Sequence, residues 1–188
     1  MVEKTDTIEK TNTIKEVLTS KKAKYIIGTV IFSGLGIAIP RIFHLLVGSS
    51  AGVKYLPMHL MVLISALTFG MISASIVAGS SVVFSYLLTG MPAIQRMPYM
   101  LIELVIYGLL LGLLNKKYNS YVSLIATIII GRILYAGVLY VSVNLLGFNG
   151  YGISVIQSFI SGIPGIIIQL IFVPILAMFT KKGLKLDE

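Results

Sequence analysis

The chain has 188 residues, of which 56% are hydrophobic and only 12% charged, and its mean hydropathy is +0.95. Soluble domains carry roughly a quarter charged residues, so this composition excludes a soluble fold and places the chain in the membrane class. With no cysteine, disulfides and thiolate-held metals are excluded as well.

The net charge of +8 does not signal a nucleic-acid partner. Eleven of the fifteen basic residues fall in three clusters: six lysines from Lys4 to Lys24, the pair Lys116 and Lys117, and Lys181, Lys182 and Lys185. Positive charge held on the cytoplasmic side of a membrane explains that clustering more simply.

In chain order, residues 1–24 read as a polar tail with a loose internal echo, Asp6-Thr7-Ile8-Glu9-Lys10 and then Asn12-Thr13-Ile14-Lys15-Glu16. It has too few apolar residues to fold alone. The apolar run that follows is too long for a secretory signal and has no small-residue cleavage pattern. A helix needs about 20 residues to cross the hydrocarbon core, and Tyr25–Val47 supplies the first span. Gly48–Leu56 is a loop of small and polar residues. Pro57 opens the second span, where its missing N–H needs no partner.

The run from Met58 to Leu88 holds no charge and is too long for one helix. Gly70 and the small residues after it, Ser73, Ala74, Ser75 and Ala78 among them, divide it into helices over 58–70 and 72–89. A loop with Gly90, Pro92 and Arg96 leads to a fourth span, Met97–Leu114. Asn115–Ser120 is a basic connection. Tyr121–Leu146, interrupted by Arg132, is the fifth span, and Gly147–Gly152 is a Gly/Asn turn. Ile153–Thr180 is the sixth, with Pro164 and Pro174 as expected kinks, and 181–188 is a basic tail.

The expected fold is therefore an all-α integral membrane protein with six transmembrane helices over 25–180 and both termini cytoplasmic. Six spans put the three lysine clusters on one side. The loops at 48–56, 90–97 and 147–152 then face outward with only Lys54 and Arg96 as charges.

Residues that are costly to bury mark the candidate site. Glu103 is the single acidic residue between Glu16 and Asp187 and lies about one and a half turns into the fourth span. Ionisable groups within spans face a cavity or a partner, so Glu103 reads either as a ligand contact or as half of a structural pair. Arg132 is the obvious mate, although helical rise offsets the two vertically by on the order of 10 Å, which side-chain length or helix tilt must bridge. Arg41 lies near the outer end of span one, within reach of lipid headgroups.

The two histidines, His44 and His59, fall at the outer ends of spans one and two, with Met58 and Met91 nearby. That grouping suits contact with a small molecule, or axial ligation of haem iron with Arg41, Lys54 or Arg132 on the propionates. Tyr55, Tyr99, Tyr107, Tyr135, Tyr140 and Tyr151 read as interfacial belts or pocket walls. Asn144, Asn149 and Gln157 lie near the outer ends of spans five and six, where they can face the same cavity. Gly34 and Ala38 form a small-xxx-small pair on span one, suited to close helix approach within the bundle or to docking of another subunit. There is no Walker loop, no His-Glu-x-x-His pattern and no Asp in any span. Enzyme readings are poor, and no intrinsic cofactor is expected.

Leu56-Pro57-Met58-His59, Leu87-Leu88-Thr89-Gly90-Met91-Pro92 and Glu103-Leu104-Val105-Ile106-Tyr107-Gly108, in a six-span chain with a basic inner side, resemble the S components of energy-coupling factor (ECF) transporters. The resemblance covers roughly residues 25–180. It implies a multi-pass plasma-membrane protein of a bacterium or archaeon. Such a protein binds a vitamin or related micronutrient on the outer side, associates with a transmembrane T subunit and two cytoplasmic ATPases, and topples in the membrane to release its cargo. The pocket it implies is walled by spans one, four, five and six under the loops 48–56 and 90–97. Gly34 and Ala38 match the family's Ala-x-x-x-Ala docking motif, departing from it by Gly at the first place. The cobalt and nickel members carry a histidine at the extreme N-terminus. It is lacking here, so the implied cargo is not a bare Co or Ni ion. A stand-alone proton-coupled carrier or membrane assembly factor, with Glu103 as proton relay, is the reading from another class.

Overall fold

Helix ends fall where backbone chemistry demands them. Gly48, Gly70 and Gly90 each follow a helix with positive φ (+96, +85 and +69°) and donate their N–H to the carbonyl four residues back, on His44, Ala66 and Tyr86. Pro57 and Pro98 sit in the first turns of their helices. The Ser20 side chain caps the first helix by accepting from Ala23 N–H at 3.2 Å, and Asn119 Oδ1 accepts from Val122 N–H at 2.8 Å at the start of the fifth.

The protein is seen here in a computed structural model that describes residues 20–48, 54–94, 96–144 and 155–186, with the backbone alone at 142–144 and 155–159. Six helices lie among the described residues: α1 Lys21–Val47, α2 Pro57–Phe69, α3 Met71–Thr89, α4 Met97–Leu114, α5 Ser120–Asn144 and α6 Val155–Leu184. α2, α3 and α4 keep the bounds expected from sequence to within a residue. α1 starts four residues early and α6 ends four residues late, because the lysines flanking each are good helix formers and continue the turn. Pro40, Pro164 and Pro174 all lie within helices that continue through them.

Close approaches at glycines fix the order and direction of the helices. A side-chain carbon on Gly28 of α1 would collide with the Phe69 ring of α2, and one on Gly36 with the Ser81 hydroxyl of α3. Gly112 of α4 lies against the Met71 backbone, and Gly108 against Ala74. α2 thus runs antiparallel to α1, α3 turns back at Gly70, and α4 runs antiparallel to α3. Gly131 of α5 abuts Tyr107 of α4, and Gly165 of α6 abuts Lys54, Tyr55 and Leu56 just before α2. Leu56 itself adopts a left-handed conformation, φ +48°, uncommon for a residue with a Cβ and costing about 1–2 kcal/mol. Its side chain is seated against Gly162 and Gly165.

α2 is the axis of the bundle. Every residue in it except Leu60 is buried, and α1, α3, α4 and α6 all pack on it. The outer helices instead turn Ile26, Val30 and Leu46 of α1, Ile72 and Phe84 of α3 and Ile129 and Ile133 of α5 away from the protein. Apolar side chains facing outward along membrane-length helices are what a bilayer solvates. Among the described residues, five helices are long and apolar enough to cross one. The chain is an α-helical, multi-pass membrane protein.

Against the expectation of six spans, α2 is the exception. At 13 residues it extends about 20 Å, short of the roughly 30 Å hydrocarbon core.

The described lysines of the three clusters gather at one end. Lys24 Nζ donates to the Lys185 carbonyl at 3.4 Å, joining the start of α1 to the end of α6. Lys181 lines a cavity with Ser120 and Tyr121, next to the turn that bears Lys116 and Lys117. Arg41, Lys54 and Arg96 lie at the far end and are exposed.

Candidate functional site

In the far half of the bundle, three helices deliver ionisable side chains to one point. His59 stands in the first turn of α2, Glu103 in the second turn of α4, and Arg132 in the middle of α5. Glu103 Oε1 is 3.1 Å from Arg132 Nη1, and Glu103 Oε2 is 3.4 Å from His59 Nε2. Both are electrostatic contacts: neither Glu103 Oε1 nor His59 Nε2 makes an aligned hydrogen bond. Glu103, His59 and Arg132 are 5, 2 and 4% exposed. The vertical offset between Glu103 and Arg132 anticipated from sequence is therefore bridged, and the two pair directly.

Tyr107 completes the group. It lies four residues after Glu103, hence on the same face of α4. Its ring meets His59 edge-on, with centroids 5.5 Å apart. The ring also fills the space that Gly131 leaves open on α5, and Gly162 on α6 does the same for the Arg132 guanidinium, which comes 3.1 Å from where a Cβ would stand. Two glycines on two helices thus make room for two site residues.

The arrangement places two basic heads on one carboxylate, away from water and out of lipid. A charge here is unaffordable without its mates, since burial removes hydration that only the partners replace. The group sums to zero when His59 is neutral and to one positive charge when it is protonated.

The other expected residues are dispersed. Met58 is buried in the apolar core beside the cluster. Arg41 is exposed and His44 half-buried, both in the last two turns of α1. Among the described residues the His44 side chain enters no ion pair, hydrogen bond or ring contact; its carbonyl accepts the Gly48 N–H. Met91 is half-buried in the connection between α3 and α4. The side chains of Asn144 and Gln157, and residues Asn149 and Tyr151, lie outside the described residues, as does most of the 48–56 loop. Tyr55 packs on Phe43, with centroids 5.9 Å apart, while Tyr140 is exposed. Gly34 and Ala38 take no part in packing within the bundle: both are exposed on α1, with open space at Gly34. Of the two expected histidines, His59 on α2 joins the ion group and His44 on α1 does not.

A cavity of about 400 Å³ lies at the opposite, basic end, between Leu67 of α2, Ser120 and Tyr121 of α5, and Ala177, Met178 and Lys181 of α6. Among the described residues no set of three metal-ligating side chains converges. Several buried polar residues went unsuspected in the sequence: Gln169 of α6, 1% exposed with its Nε2 unpartnered among the described residues, and the likewise unpartnered hydroxyls of Ser65, Thr68 and Thr127. Compared with known protein families, with curated proteins and with solved structures, the chain matches none.

Proposed function

We propose that the protein is the substrate-binding subunit of an ECF-type importer for a vitamin or related micronutrient, resident in the plasma membrane of a bacterium or archaeon and energised by a separate T subunit and two ATPases. The observation that carries this reading is the buried His59–Glu103–Arg132 group in the half of the bundle away from the lysine clusters. Ionisable groups held inside a membrane bundle mark substrate sites, and the basic end orients toward the cytoplasm by the positive-inside rule. The site then faces the outer leaflet, where an importer must meet its cargo. The outward-facing, unpacked Gly34 and Ala38 support a docking role for that face of α1.

Co-expression with T and ATPase subunits tests the proposal. Expected are a stable complex, ATP-dependent uptake, and a small molecule that co-purifies and is identified by mass spectrometry. A protein that neither joins such subunits nor retains any ligand overturns it.

For a tetrapyrrole cargo held by His44 and His59, haem titration gives a Soret band that His44→Ala or His59→Ala removes. Absence of the band excludes that cargo. The contact of His59 with Glu103 also suits proton transfer, the step a stand-alone carrier needs. Proton-driven uptake in liposomes lacking any ATPase selects that reading instead.

A further inference from the structure

Of the two ring nitrogens of His59, only Nε2 is within ion-pair distance of Glu103. His59 turns Nε2 toward Glu103, so in the neutral imidazole the proton belongs on Nε2 and Nδ1 is an acceptor. Nδ1 is buried and has no partner among the described residues.

Gln169 lies on α6, which packs against α2. Gly165 of α6 is level with Tyr55 and Leu56, and Pro174 and Ala177 are level with Leu67 of α2. Between those two registers, Gln169 falls within about one turn of His59. It lies seven residues after Gly162, hence on the face that meets Arg132. Helical side chains lean toward the N-terminus, which for α6 is the far end, so the Gln169 amide leans toward the ion group. Its Nε2 is a donor without an acceptor among the described residues.

Unpartnered buried polar atoms are rare in folded proteins and each calls for an occupant. Here a donor on α6 and an acceptor on α2 lie at about one level on helices packed together, beside charges that cancel when His59 is neutral. A carboxylate fits poorly: it brings a charge that the Glu103–Arg132 pair does not need and offers nothing to an acceptor nitrogen. A group that presents a carbonyl oxygen next to an N–H fits both.

We propose that Gln169 and His59 together recognise an uncharged amide edge, as in a carboxamide, lactam or cyclic imide, of the imported molecule. This rests on the importer reading and specifies the class of its cargo.

The test uses the full-length protein in lipid nanodiscs and a panel of aromatic carboxamides, lactams and imides, each matched with the carboxylate of the same ring. Binding is followed by thermal shift and equilibrium dialysis. Expected is binding of at least one amide probe, at least 10-fold tighter than its carboxylate counterpart, lost 10-fold or more in Gln169→Leu. Gln169→Met, of similar length, serves if Gln169→Leu does not fold. Thr29→Val, on α1 with its hydroxyl already bonded to the Tyr25 carbonyl, retains wild-type affinity. Tighter binding of the carboxylates, equal affinity in the Gln169 variants, or binding of no probe overturns the assignment. The importer reading is judged separately, by capture of the T and ATPase subunits.

Discussion

At the scale of single residues, the energetics turn on one carboxylate. Glu103 is shared by Arg132 and His59 in a volume that water does not reach. Glu103→Gln keeps the shape and removes the charge, leaving the Arg132 guanidinium buried beside a neutral amide. The expected cost is about 3–5 kcal/mol, read as a lowered midpoint in thermal unfolding in a fixed detergent. Adding Arg132→Met should return part of that loss, because the second substitution removes the orphaned charge; a double mutant as unstable as the sum of the singles contradicts the pairing. Glu103, Arg132 and His59 were legible in the sequence because a charge in an apolar helix is conspicuous. Their mutual contact was not, since it depends on how the helices tilt and on how far Arg132 reaches. Gln169 was illegible for another reason. Lipid is as apolar as the bundle interior, so hydrophobic spacing along α6 does not say which face is inward.

At the scale of elements, glycines decide how closely helices approach, and the two classes of glycine here should respond differently. Gly112 lies against the Met71 backbone at the α3–α4 crossing. Gly112→Val must push the helices apart, an overpacking cost of about 1–3 kcal/mol. Gly34 faces open space, so Gly34→Leu should leave the unfolding midpoint unchanged and reduce capture of a T subunit. A Gly34 variant that destabilises the isolated protein would place that face inside the bundle instead. The helix limits were readable from Gly48, Pro57, Gly70 and Gly90, whose backbone preferences act locally. The crossings were not, because small residues appear on both the packed and the exposed faces of α1: Gly28 and Gly36 pack, while Gly34 and Ala38 do not.

At the scale of the whole molecule, charge sets orientation. Since the chain has no cysteine, single cysteines can be introduced without background. A thiol at Lys117 should react with a membrane-impermeant maleimide only after cells are opened, and one at Ile94 in intact cells. The reverse pattern would invert the assigned topology and put the His59–Glu103–Arg132 group on the inner side. The central position of α2 has a consequence during synthesis. All of this helix but Leu60 is buried in the finished protein, yet it leaves the ribosome before α4 and α6 exist to cover it. A nascent chain stopped ahead of residue 155 would therefore carry His59 on an unshielded flank, a ready target for membrane quality-control proteases.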